Sequence, residues 1–97
     1  MRGRYWVYIV TDGPYGTLYI GFTGDLFRRS YEHREGLHEG HAKKYGLKIL
    51  VWYEEYKDVE AAIAREKQLK KWKRDWKINL IKKFNPTWRD LYDDLNM

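Results

Sequence analysis

The sequence predicts an α+β domain built on a small three-stranded sheet, and three observations carry that prediction. Residues 5–10 and 17–21 are runs of β-branched and aromatic residues separated by Asp12-Gly13-Pro14-Tyr15-Gly16, the composition of a hairpin turn. A third run of the same character, 48–56, comes only after a helical segment. Beyond residue 58 the apolar residues change to helical spacing. Two strands, a helix, a strand and then helices is an α+β order, not a regular βαβ alternation. Ninety-seven residues suffice for one modest core, so 1–97 is read as a single domain.

The elements follow in order. Tyr5-Trp6-Val7-Tyr8-Ile9-Val10 has no polar alternation and reads as a strand covered on both faces. Thr17-Leu18-Tyr19-Ile20-Gly21 returns beside it. A helix is expected over 25–35, with Thr23 or Asp25 as its cap and Leu26, Phe27, Ser30 and Tyr31 as its packing side. Gly36 and Gly40 frame a loop holding His38 and His41. Asp58 caps a helix over 59–71, whose apolar positions are 59, 62, 63 and 69. A further helix over 74–84 is expected to bury Trp76, Leu80 and Ile81. Asn85-Pro86 ends it, and Thr87-Trp88-Arg89-Asp90 has capping-box spacing for a last short helix.

Composition narrows the function classes. No apolar run approaches the roughly 18–20 residues that cross a bilayer, so no membrane role is expected. The opening MRGRYWVYIV is too short in its apolar part, and too rich in Tyr and Trp, for a secretory leader. The absence of cysteine excludes disulfides and thiol chemistry and fits a cytoplasmic location. The net charge of +5 is unevenly placed. Between 65 and 83 the chain carries Arg65, Lys67, Lys70, Lys71, Lys73, Arg74, Lys77, Lys82 and Lys83 against Glu66 and Asp75 alone. A one-sided basic segment is the footprint of a phosphate-backbone binder, or else a solvated helix face.

Several residues are suited to chemistry. Arg29 and His33 stand at i, i+4 on the first helix, the one suited to bidentate phosphate recognition, the other to proton transfer near neutral pH. Glu66 falls within the apolar stripe of the 59–71 helix, where a carboxylate needs a salt-bridge partner or a bound cation. Tyr8 and Tyr19 lie on the paired strands, either as core or with their hydroxyls presented together. His33, His38 and His41 share no helical register and lack cysteine partners, which speaks against a zinc cluster.

Taken together, Val7-Tyr8, Leu18-Tyr19-Ile20-Gly21, Asp25-x-x-x-Arg29-x-x-x-His33 and Ala64-Arg65-Glu66, in that order, resemble the GIY-YIG nuclease superfamily. That superfamily includes homing endonucleases and the N-terminal nuclease domain of the excision-repair incision subunit. The likeness is greatest to its small stand-alone bacterial members. Arg65-Glu66-Lys67-Gln68-Leu69-Lys70-Lys71-Trp72 and Asn85-Pro86-Thr87-Trp88-Arg89-Asp90-Leu91-Tyr92 extend it over nearly the whole chain.

The resemblance implies an antiparallel three-stranded sheet flanked by helices and a one-metal endonuclease using Mg²⁺ or Mn²⁺. It implies catalytic roles for Tyr8, Tyr19, Arg29, His33 and Asn85, with Asn79 competing for the last, and makes Glu66 the metal ligand. The partner implied is nucleic acid, DNA before RNA, in repair or recombination, and Lys67, Lys70, Lys71, Lys73, Arg74 and Lys77 are its candidate contacts. The first motif departs from the family in reading Trp6-Val7-Tyr8 instead of Gly-Ile-Tyr. Phe22 stands where some relatives have a lysine, leaving the metal-bound water, Arg29, or a distant lysine such as Lys43 or Lys44 to activate Tyr8. A non-catalytic nucleic-acid-binding module, or a nuclease subunit needing a partner, is the rival reading.

Overall fold

The structure is a computed structural model that describes residues 3–37 and 40–95, for His41 the backbone alone. Strands β1 (Tyr5–Thr11), β2 (Leu18–Thr23) and β3 (Ile49–Tyr56) form one antiparallel sheet in the order β2-β1-β3. The hydrophobic hairpin thus places β1 at the centre, and its residues 7–11 are buried, as expected of a strand covered on both sides. Between Ile9 and Val10 the pairing with β3 slips: Ile9 faces Trp52 and Val10 faces Leu50, leaving Val51 as the extra residue of a bulge.

The alternation of side chains divides the molecule into two layers. Val7, Ile9, Ile20 and Val51 point to one face, packing against Ala62 and Leu69 of α3 (Val59–Lys71) and Ile81 of α4 (Arg74–Phe84). Tyr8, Val10 and Leu50 point to the other, against Leu26 of α1 (Leu26–Arg34), Ala42 of α2 (His41–Lys44) and Leu91 of a C-terminal 3₁₀ turn (Leu91–Asp94). The loop expected between Gly36 and Gly40 is followed by the short helix α2, which sequence periodicity did not reveal; His38 lies outside the described residues.

Three packing expectations are corrected. The inward stripe of α1 is Leu26, Ser30 and His33, while Phe27 and Tyr31 are exposed. On α4 only Ile81 is fully buried; Trp76 is exposed and turns to Trp72, the residue that caps α3, instead of the core. The last element is a 3₁₀ turn capped by Asp90, not a helix capped at Thr87.

Candidate active site

The strand-to-helix junction is fixed by local chemistry. The Thr23 hydroxyl accepts the Asp25 N–H, and the Asp25 carboxylate accepts the N–H of Arg28, the cap that starts α1. From that start, one turn brings Arg29 and two turns bring His33 over the sheet. His33 is 3% exposed, and its Nε2 stands 3.0 Å from the Tyr8 hydroxyl. Its ring also lies against Tyr19, 5.9 Å between centroids.

Tyr8 reaches this position by leaning across its neighbour on β2. Tyr8 pairs with Gly21, and a Cβ at Gly21 would stand 2.3 Å from the Tyr8 hydroxyl oxygen and 2.4 Å from Cζ. Gly21 is therefore required by the close approach of an aromatic ring, not by a turn. The hydroxyl is carried over the edge strand, where α1 covers it. An isolated glycine inside a strand is the sequence signal for such a contact, and here it went unread.

Burial pushes the Tyr8 hydroxyl up to about 12, against the hydrogen bond and charge of Arg29, which pull it down; Tyr19 and Glu66 add to the upward shift. Arg29 has no acceptor, so it donates to the Tyr8 oxygen, and the phenolic proton is free to be given to His33 Nε2. Burial disfavours the Arg29 charge, but Tyr8 and the Glu32 carboxylate, 3.2 Å from Nε, outweigh it and hold the guanidinium above its ordinary range. On its other side Arg29 lines an open cleft of about 400 Å³ with Thr23, Gly24, Asp25, Arg28 and Glu32. One guanidinium thus joins a buried Tyr–His pair to a cleft open to solvent.

Glu66 approaches from the opposite layer. Its helix, α3, covers the face of the sheet away from α1, yet the charge of Glu66 acts on the Tyr8 hydroxyl over the edge strand. The side chain is 19% exposed and pairs with Lys70 at 3.1 Å, one turn along the same helix. Among the described residues no group of three His, Cys, Asp or Glu is placed to hold a metal. A lone carboxylate oxygen donor suits Mg²⁺, which keeps most of its waters, and not a tetrahedral zinc site.

Other expected residues fall elsewhere. Asn85 is buried, and its amide donates to the carbonyls of Val51 and Arg89, tying the C-terminal segment to β3. Those bonds explain its burial without any link to Tyr8. Phe22 points into the α3 layer and stacks on Tyr5, so the cation acting on Tyr8 is Arg29. Arg74 donates to the carbonyls of Tyr15 and Gly16, clamping the β1–β2 turn. Lys67, Lys70, Lys71 and Lys73 are exposed and Lys77 is half-buried.

The family model of the GIY-YIG catalytic domain matches residues 4–79, which include Tyr8, Tyr19, Arg29, His33 and Glu66 and leave out Asn85. The chain belongs to the GIY-YIG family. The antiparallel sheet flanked by helices agrees with that membership, and the family is one of nucleases generally dependent on divalent metals. No curated protein and no solved structure matched the chain. Among the described residues, no helix of this GIY-YIG domain is long and apolar enough to cross a membrane.

Proposed function

We propose that this GIY-YIG domain is a metal-dependent endonuclease that hydrolyses phosphodiester bonds in DNA. The observation that carries the reading is Arg29, bound to the Tyr8 hydroxyl on one side and open to the cleft on the other. A phosphate in that cleft takes the guanidinium fork bidentately and is thereby set beside the Tyr8 oxygen.

The roles follow from protonation. At neutral pH a phenol shifted to about 12 is protonated and is no base by itself. His33 is buried behind it and accepts its proton. As a water oxygen attacks phosphorus, the proton leaving the water passes to the Tyr8 oxygen while the Tyr8 proton passes to Nε2. Arg29 opposes the charge growing on the phosphate oxygens and the departing alkoxide. Tyr19 holds the imidazole plane from the second strand. Glu66 is the residue to hold a divalent ion, which when bound supplies Lewis acidity to the phosphate. Exposed Lys67, Lys70, Lys71 and Lys73 add sequence-independent attraction for the backbone.

The test is incubation of pure protein with plasmid, branched DNA and structured RNA in Mg²⁺, Mn²⁺ or EDTA, with Arg29→Ala as control. Metal-dependent nicking that vanishes in EDTA and in Arg29→Ala is expected. Cleavage surviving both overturns the reading. The Glu66–Lys70 ion pair favours a second reading, a binding module whose carboxylate is already neutralised. That reading gains if substrates bind but stay intact in every metal.

A further inference from the structure

The groove between the end of α3 and the face of α4 takes no part in the chemistry above. Trp72, Trp76, Asn79, Leu80 and Lys83 line a depression of about 300 Å³. Trp76 is 52% exposed and meets Trp72 edge-on, 5.8 Å between centroids. Cations surround these indoles: the Lys73 ammonium lies 6.0 Å from the Trp76 ring centre, and the Arg65 guanidinium 5.2 Å from that of Trp72. Of the two carboxylates between residues 65 and 83, Glu66 is spent on Lys70.

A planar apolar surface rimmed by positive charge has few complementary partners. A second copy of the chain would set these cations against their own images across a two-fold interface. An acidic peptide matches the charge but offers no planar face. An unpaired nucleobase matches both, because every base has a π-face that stacks on indole and a phosphate on either side. We infer that the α3–α4 groove stacks an unpaired base of the nucleic-acid substrate on Trp76, with Lys73 and Lys83 taking the adjoining phosphates. The inference rests on the reading that the chain acts on nucleic acid, and it narrows the substrate to strands with unpaired nucleotides. It does not depend on cleavage.

Fluorescence anisotropy of a labelled oligothymidylate, measured on the Arg29→Ala protein so that nothing is cut, tests it. Trp76→Ala is expected to weaken binding about 5- to 150-fold, the loss of one stacked base. Trp76→Phe should recover most of it, and a melting curve checks that each variant is folded. A duplex of equal length and an abasic strand with the same phosphates should bind alike with and without the indole. Lys73→Ala and Lys83→Ala should each lower the salt slope by about 0.7, the single-strand value per phosphate. Unchanged oligothymidylate affinity in Trp76→Ala, or an equal loss on all three ligands, overturns the inference. So does Trp76-dependent self-association, or Trp76-dependent binding to anionic lipid vesicles without preference for the oligonucleotide. If Trp76-dependent binding holds while the wild-type protein cuts nothing, the nuclease reading fails and this one stands. Cleavage without Trp76-dependent binding keeps the nuclease reading and removes this one.

Discussion

Tyr8 and His33 form a buried hydrogen-bonded pair, hydroxyl to Nε2 at 3.0 Å, bridging the central strand and the first helix. The pair is held from three directions. Gly21 makes room for the phenol, Arg29 donates to its oxygen, and Tyr19 backs the imidazole. Its protonation has consequences for both turnover and stability.

Tyr8→Phe removes the relay and keeps the packing. Cleavage is expected to fall about 10²–10⁴-fold, the usual worth of a positioned proton-transfer group. At neutral pH the fold should lose about 1 kcal/mol, one hydrogen bond. The alkaline behaviour is more diagnostic. Tyr8 is raised from 10.0 in the unfolded chain to about 12 in the fold. Its stabilising share is therefore complete below pH 10 and is lost as pH rises towards 12. Melting curves across that range should fall more steeply for wild type than for Tyr8→Phe, by about 2–3 kcal/mol in total.

Gly21→Ala adds one methyl where the Tyr8 ring already lies. The overlap with Cζ and the hydroxyl must be relieved by moving the ring, since the strand backbone is paired. A stability loss of about 1–3 kcal/mol is expected from overpacking. Cleavage should drop further than the melting point explains, because the displaced hydroxyl no longer meets Nε2. Activity equal to wild type in a folded Gly21→Ala protein would show that the Tyr8 position does not matter to chemistry.

Arg29→Ala is expected to abolish cleavage while costing about 1–3 kcal/mol of stability, because Glu32 is partly solvated but the buried Tyr8 oxygen loses its donor. Arg29→Lys should be nearly as inactive, since a point charge cannot reproduce a planar fork on phosphate. Single-turnover cleavage and thermal melts of the two variants measure both effects. Full activity in Arg29→Ala would move the phosphate-binding role to another cation, such as Arg28, which also lines the cleft.

Glu66→Gln separates a metal ligand from a structural salt bridge. The partner Lys70 is half exposed and spaced i, i+4, so the pair is worth about 0.3–0.5 kcal/mol and its loss should barely move the melting curve. Divalent-ion binding, followed by Mn²⁺ titration, should be lost, and cleavage with it. A variant that binds Mn²⁺ and cuts as well as wild type would remove Glu66 from the site.

Asn85→Ala should behave oppositely. It strands the buried carbonyl of Val51 and frees the C-terminal segment, for a loss of about 1–3 kcal/mol. Turnover per folded molecule should not change. A cleavage defect in a protein that remains folded would restore a direct catalytic role for this asparagine.

Apart from the short helix α2 and the 3₁₀ form of the last turn, the elements and their order were determined by the sequence alone, because they rest on local physics. The hairpin came from turn chemistry between two β-branched runs, and the span Val59–Lys71 from a cap and a 3.6-residue stripe. The motif order was equally legible, and the family match bore out the resemblance it suggested. The facing of side chains was decided by the tertiary structure. Hydrophobicity placed Phe27 and Tyr31 of α1 inward beside Leu26 and Ser30, yet they are exposed and His33 is buried instead, because the sheet beneath it offers two tyrosines, one a hydrogen-bond partner. Trp76 was expected in the core and is exposed, since Ile81 occupies the contact that α4 makes there. The helices that carry Glu66 and Arg29 cover opposite faces of the sheet, and the position of Tyr8 over the edge strand lets both act on one hydroxyl. Helical spacing fixes which residues share a side of a helix; which side meets the sheet depends on partners far away in the chain.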